Sequence, residues 1–294
     1  MITMAARDVH TLQRSRAFCE NLTRSHARNF YYGLKLLPEP KRSAMFALYA
    51  YMRLVDDIAD DEDGRSAEQR VADLDAWRQQ THAVLGGDST AIGSHPLWPA
   101  ISDMVRRYSV PTDVFDDAIA GQQQDLCFTR FQSFDELREY CIRVAGVVGL
   151  ASIYIWGFEG GEQARQLATD RGIAFQLTNI LRDLREDAAR GRIYLPAAEL
   201  EEAGITDEEL QSGGEKFHAM MKRQIARAQS YYDKSEALDR LISRDSRPTL
   251  QAMTDIYRRL LQKIAADPQR VLSERVSLSV FRKLWIGWRA VRAG

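Results

Sequence analysis

An all-α fold is predicted by three features of this 294-residue sequence. Apolar residues recur at three- and four-residue spacing through long stretches rich in Ala, Leu, Arg, Glu and Gln. Neither a β-hairpin signal nor a strand–helix–strand alternation is present, and only eight prolines interrupt the pattern. No Pro/Gly/Ser-rich linker and no fixed-period repeat divides the chain. The expectation is therefore one domain over residues 1–294, a helical bundle around a central cavity rather than a solenoid.

Turn chemistry orders the elements. Breaks are predicted near Leu37-Pro38-Glu39-Pro40, Gly86-Gly87-Asp88-Ser89, Val110-Pro111, Gly157 to Gly161, Gly191 to Pro196, Gly213-Gly214 and Arg247-Pro248. After the first break, Met45, Leu48, Tyr49, Met52, Val55 and Ala59 make one apolar helical stripe. After Pro111-Thr112, Asp113, Asp116 and Asp117 fall in a helix start, where acids favour the dipole, and are read as structural. The longest uncharged apolar run, Val144 to Phe158, has fifteen residues and three glycines. It is too short to span a bilayer and is predicted to be a buried helix, Gly146 and Gly149 serving close packing or the shape of a tunnel. Ile173, Leu177, Ile180, Leu181 and Leu184 define the next core stripe. Phe281 to Arg289 is basic and amphipathic, suited to a membrane surface or to a last helix closing the bundle.

Charge narrows the function. The 40 basic and 41 acidic residues leave a net charge of -1, which offers no global field for gripping nucleic acid, so charge must act in local clusters. Three distant cysteines, Cys19, Cys127 and Cys141, fit neither a disulfide framework nor a zinc site, and the N-terminus lacks a basic-then-apolar signal order. A cytoplasmic protein is expected.

Two acidic clusters carry the chemistry. In Leu54 to Asp63, Asp56 falls in the middle of the first apolar stripe, and Asp60 lies one turn further on. Two inward carboxylates repel each other and are expensive to bury, and Mg²⁺ resolves both problems because it takes one or two carboxylates and completes its shell with water and phosphate oxygens. In Gln176 to Asp187, the oxygen-bearing side chains of Gln176, Asn179, Asp183 and Asp187 stack beside the core stripe. The two helices are expected to face each other across a metal site. Arg53 and Arg182 beside these acids point to a diphosphate. The aromatic segments Phe30-Tyr31-Tyr32 and Met45 to Tyr49, with the Val144 run, point to an isoprenoid tail.

These segments resemble the squalene/phytoene synthase family. Ala50 to Asp60 resembles its first aspartate-rich motif, Gln176 to Asp183 through Gly191-Arg192-Ile193-Tyr194-Leu195-Pro196 its second, and Tyr140 to Gly149 the motif between them. The resemblance runs from about Ser25 to Trp285. It implies an isoprenoid-synthase bundle that joins two prenyl diphosphates head to head. By the family pattern Asp56 and Asp60 bind Mg²⁺ from one side and Asn179, Asp183 and Asp187 from the other. Arg53 and Arg182 contact diphosphate, Gln176 contacts substrate, Tyr257 lies near the diphosphate, and Tyr49 and Tyr140 line the reaction centre. The family's Ser-x-Ser-Phe is replaced by Ala27-Arg28-Asn29-Phe30, so His26, Arg28 or Asn29 is expected to supply the missing donors to diphosphate, and His26, Asn29 and Phe30 are expected among the substrate contacts.

The implied reaction ionises one allylic diphosphate, adds the acceptor double bond and loses a proton to close a cyclopropane; a second ionisation gives the hydrocarbon. The first expectation is two farnesyl diphosphates giving squalene or a C30 relative through presqualene diphosphate, in the manner of a bacterial squalene synthase of the hopanoid pathway. The second is two geranylgeranyl diphosphates giving phytoene. Squalene requires hydride from NADPH, whereas phytoene ends by proton loss; the chain has no dinucleotide fingerprint, so a nicotinamide would bind a helical surface. Partners implied are prenyl diphosphates, downstream isoprenoid enzymes and, through the C-terminal segment, the inner face of the membrane. A terpene cyclase is disfavoured by the Tyr140 to Gly149 and Gly191 to Pro196 motifs, and a non-catalytic helical protein by the intact ligands in both clusters.

Overall fold

A computed structural model describes residues 2–27, 30–60, 64–127 and 130–293. Its first half comprises α1 (Ile2–His26), α2 (Phe30–Leu34), α3 (Lys41–Asp60), α4 (Ala67–Leu85), α5 (Ser89–Gly93), α6 (Trp98–Tyr108), α7 (Asp113–Leu126) and α8 (Phe134–Cys141). A π-helical turn, Ile142–Gly146, leads from α8 into α9 (Val147–Trp156). There follow α10 (Gly161–Ala189), α11 (Ala197–Glu202), α12 (Asp207–Ser212), α13 (Glu215–Lys234), α14 (Leu238–Leu241), α15 (Arg247–Ala266), a 3-10 turn at Pro268–Leu272, and α16 (Val280–Ala293). Among the described residues the only β pairing is one isolated bridge, Phe158 to Ile242, so the all-α expectation holds.

Local sequence explains where the helices start and stop. Ser66 caps α4, and Thr206 caps α12, each accepting from the backbone N–H three residues on while the Gln69 or Glu209 side chain accepts from the cap's own N–H. Asp88 accepts from the N–H groups of Thr90 and Ala91 to start α5, and Ser133 accepts from that of Glu136 to start α8. The 29-residue α10 begins at Gly161 after its cap Gly160, both at positive φ, a backbone that glycine enters without penalty. All seven predicted breaks coincide with helix boundaries. The breaks at 64–66, 94–97, 203–206 and 235–237 are not among those predicted, although the second carries Pro96 and the third Gly204.

The apolar residues form two cores. One joins α1, α3, α4, α6, α7 and α9; the other joins α8, α10, α11, α12, α13, α15 and α16. Phe175 of α10 packs against both. The long helices α3 and α10 carry their polar faces toward this junction. On α3 the predicted stripe divides: Met45, Leu48, Val55 and Ala59 are buried, while Tyr49, Met52, Arg53 and Asp56 are half-buried. Phe46, Ala47, Ala50 and Tyr51 are buried as well, which makes the first half of α3 a central helix rather than an amphipathic one.

The Val144 to Phe158 run is not one regular helix. Its start belongs to the π turn, a one-residue insertion that often accompanies functional sites. By length and composition the continuous helical stretch Phe134–Trp156 could cross a membrane, yet half of its most apolar window is buried against the rest of the chain, as in a core helix. Close packing decides the glycine question. A Cβ on Gly149 would stand 2.5 Å from the Ala168 carbonyl oxygen, and one on Gly172 would stand 2.4 Å from that of Ala145. The π turn and α9 thus lie backbone to backbone on α10.

Candidate active site

On α3, Asp56 is half-buried and walled in by protein; its carboxylate accepts a 2.6 Å hydrogen bond from the Gln122 amide of α7. Burial above all, with Asp60, Asp57 and Asp125 adding negative charge, pushes its carboxyl up to about 7. Arg53, one turn earlier, pairs with Asp57, while its Nε is buried with no hydrogen-bond partner among the described residues. Asp60 is exposed and sits 3.7 Å from Arg192 of the loop after α10. Tyr49 shares this neighbourhood; burial raises its phenol to about 12, and Arg53, Asp56 and Tyr257 act on it electrostatically.

On α10, Gln176, Asn179, Asp183 and Asp187 are half-buried along one face, as their spacing predicted. Arg182 donates a 2.8 Å bond to Asp183, which also accepts from Arg275 at 3.0 Å. Asp187 is pushed up to about 7, by burial first and by Asp183 second. The Asn179 amide nitrogen reaches Gln176, while its buried Oδ1 has no partner among the described residues. Tyr257 of α15, buried and stacked on Phe175 with centroids 4.5 Å apart, touches both Asn179 and Arg182.

The two carboxylate helices meet through α7 and the Gly191 to Pro196 loop. Asp125, 8% exposed, accepts hydrogen bonds from the hydroxyls of Tyr140 at 2.8 Å and Tyr194 at 3.0 Å. Burial raises its carboxyl, and its field reaches Asp56, Asp187 and Arg192. Asp56, Asp60, Asp187 and Arg192 therefore all lie within the field of Asp125.

Of the sequence-predicted residues, Tyr49, Arg53, Asp56, Asp60, Gln176, Asn179, Arg182, Asp183, Asp187 and Tyr257 come together here. Tyr140 reaches the site through its hydroxyl on Asp125, its ring lying between Phe131 and Tyr194 at centroid distances of 5.3 Å each. His26 is on the exposed end of α1, its ring nitrogen engaged with Ser25 and Leu22 of its own turn. Asn29 lies outside the described residues, and only the backbone of Phe30, at the start of α2, is described. Sequence reasoning missed Gln122, Asp125 and Arg275. The first two continue the inward stripe that Phe115 and Ala118 begin on α7, so the phase test that singled out Asp56 would also have found them. Arg275 carries no local signal, because only the tertiary fold brings it to Asp183. Asp116, read as structural, pairs with Arg78 and His82 on the surface.

The donor set fits hard cations shared with an anion. Among the described residues no three acidic, His or Cys side chains form a ready-made metal cage. Each helix instead offers one or two carboxylates, the arrangement Mg²⁺ accepts when water and phosphate oxygens complete its shell. The unpartnered Asn179 Oδ1 is an acceptor for a cation, and the unpartnered Arg53 Nε is a donor for an anion.

The squalene/phytoene synthase family profile matches residues 23–282. The chain is 34% identical to a 15-cis-phytoene synthase of Synechococcus elongatus, covering 95% of this chain and 93% of that one. It is 37% identical to a phytoene synthase of Mycobacterium tuberculosis, covering 95% and 91%. Among solved structures, a dehydrosqualene synthase in complex with ligand superposes with a TM-score of 0.87 at 27% identity, covering 97% of this chain and 98% of that chain. Squalene synthase HpnC from Alicyclobacillus acidocaldarius superposes with a TM-score of 0.79 at 26% identity, covering 87% and 94%. Matched by the family profile over residues 23–282 and by these relatives over nearly its whole length, the chain belongs to the squalene/phytoene synthase family.

Proposed function

We propose that this protein condenses two farnesyl diphosphates head to head, through presqualene diphosphate, to squalene or a C30 relative. The observation that supports prenyl-diphosphate chemistry is that Asp56 of α3 and Asp187 of α10 both lie in the field of Asp125, while Arg53 Nε and Asn179 Oδ1 have no partner among the described residues. The C15 reading is supported by the whole-fold likeness to a dehydrosqualene synthase and to squalene synthase HpnC. A second reading, two geranylgeranyl diphosphates giving phytoene, is supported by the phytoene synthases at 34% and 37% identity. The reading takes the chain as one catalytic domain.

In this reading Asp56, Asp60, Asn179, Asp183 and Asp187 hold Mg²⁺, which when bound supplies the positive charge that stabilises a departing diphosphate. Arg53 and Arg182 release Asp57 and Asp183 to contact the diphosphate oxygens, Tyr257 keeping Arg182 in place. Tyr49 presents its ring to the allylic cation, a face that stabilises charge without trapping it. Asp125 holds the hydroxyls of Tyr140 and Tyr194, keeping two potential nucleophiles away from the cation.

Incubation of the purified protein with Mg²⁺ and either C15 or C20 diphosphate, with and without NADPH, separates the readings. A C30 product from the C15 substrate is expected, with squalene appearing only when NADPH is present. A C40 product alone would replace the first reading by the second.

The reading also places the enzyme at the inner face of the membrane, where a hydrocarbon product must go. Along α16 the exposed Arg282, Trp285, Arg289 and Arg292 form one stripe, and Trp285, 47% exposed, is flanked by the guanidinium groups of Arg259 and Arg289. Such a basic aromatic face suits anionic lipid. Flotation with anionic vesicles is expected for the intact chain and reduced in the Trp285→Ala/Arg282→Ala pair; equal flotation would remove this assignment.

A further inference from the structure

Arg171 lies on α10 two turns before Asn179 and is 3% exposed, yet it touches none of the acidic residues of the site. A guanidinium buried this deeply requires a reason, since its desolvation is offset only by partners held in good geometry. Its partners come from three other elements. Nε donates to Ser235 Oγ at 2.8 Å, and a terminal nitrogen donates to the Ser235 carbonyl oxygen at 2.8 Å, where the last turn of α13 leaves carbonyls that favour a cation. The other terminal nitrogen donates to Thr254 Oγ1 of α15, and both lie 3.4 Å from Asp239 Oδ1 of α14.

The contact with Thr254 has a consequence three residues further along α15. Thr254 and Tyr257 are neighbours on one helix face. On α10 the residues that meet this face follow at the same spacing: Arg171 touches Thr254, Phe175 stacks on Tyr257 at 4.5 Å and 26°, and Asn179 and Arg182 touch the Tyr257 side chain. Aromatic stacking and apolar packing tolerate small slides of one helix along another, whereas a planar guanidinium fork with fixed donors at both ends does not.

We infer that Arg171 is a positioning residue: its guanidinium locks α15 against α10 in the register that seats Tyr257 on Asn179 and Arg182. The inference rests on the diphosphate-binding reading of Tyr257 and Arg182. It assigns turnover, rather than overall stability, as the property that Arg171 and Thr254 serve.

Steady-state kinetics of the full chain with Mg²⁺ and the prenyl diphosphate it turns over test this. Thr254→Val removes one hydroxyl without changing shape and is expected to lower kcat about tenfold with KM little changed, since small misplacements at a reaction centre have effects of this size or larger. Thr254→Ser, which keeps the hydroxyl, is expected to retain the starting rate. Arg171→Met is expected to match Thr254→Val, which carries the test alone where Arg171→Met does not fold. Tyr257→Phe is expected to lower kcat similarly, and Thr254→Val added to it to lower kcat no further, because both act through one contact. A full rate in Thr254→Val, or losses that multiply in the double variant, would overturn the inference while leaving the site reading intact. A full rate in Tyr257→Phe would overturn both.

Discussion

Asp56→Asn is expected to abolish nearly all turnover while making the cation-free protein more stable above pH 7. The carboxyl of Asp56 is pushed from 3.8 up to about 7, chiefly by burial. Between these values the folded protein binds a proton that the unfolded chain releases, so this group's stabilising contribution is complete in acid and is lost as pH rises through about 7. The replacing amide carries no charge and still offers an oxygen to the Gln122 amide, so the penalty disappears and the hydrogen bond remains. Turnover depends on the charge that is lost, and a decrease of about a thousandfold corresponds to about 4 kcal/mol of transition-state stabilisation. Asp187→Asn should behave in the same way, its carboxyl also being raised to about 7.

Asp183→Ala should lose activity with the opposite stability sign, because it leaves Arg182 and Arg275 without the carboxylate both of them hold. Calorimetry at pH 6 and pH 8, paired with product formation, checks all three variants. An Asp56→Asn protein that turns over normally, or that melts earlier than the parent at pH 8, would refute the electrostatic account of the site.

Gly172→Val is expected to lower the melting temperature by roughly 4–10 °C, with activity falling alongside. A Cβ at this position would stand 2.4 Å from the Ala145 carbonyl oxygen and 2.8 Å from the Gly146 Cα, both backbone atoms that cannot turn aside. Overpacking of this kind costs about 1–3 kcal/mol or more, and in a chain of this size each kcal/mol moves the midpoint by about 2–4 °C. The activity loss follows from position. The π turn connects to Tyr140 on one side, and Gly172 precedes Gln176 and Asn179 on the other, so parting the two backbones parts the site. Gly121→Ala is the control: its Cβ would meet a Val144 methyl at 2.8 Å, a side chain that can rotate, and the loss should be smaller. An unchanged melting temperature in Gly172→Val would show that the π turn and α10 are free to separate.

The site was legible where helical phase alone places a residue. Asp56, Asn179, Asp183 and Asp187 could be singled out because a polar side chain interrupting or bordering an apolar stripe has a direction before any tertiary structure is known. The same test, applied to α7, would have found Gln122 and Asp125. The surroundings of His26 and Tyr140 are not legible from a motif: the His26 ring bonds within its own turn, and Tyr140 reaches the site through Asp125. The Val144 run was read correctly as buried, while its π turn was hidden, since one extra residue in a helix leaves composition and mean hydropathy unchanged.

The helical class, the seven predicted breaks and the two faces on which carboxylates gather follow from local propensity and a period of 3.6 residues, and so are legible in the linear chain. Which faces meet is set by the packing of helices distant in the chain, and the folded protein reveals it. That packing brings Arg275 to Asp183 across 92 residues and Arg171 to Thr254 across 83, and it puts Asp56 and Asp187 in the field of Asp125. A carboxylate's protonation and a guanidinium's partner depend on distance and burial, which arise only when separate helices pack.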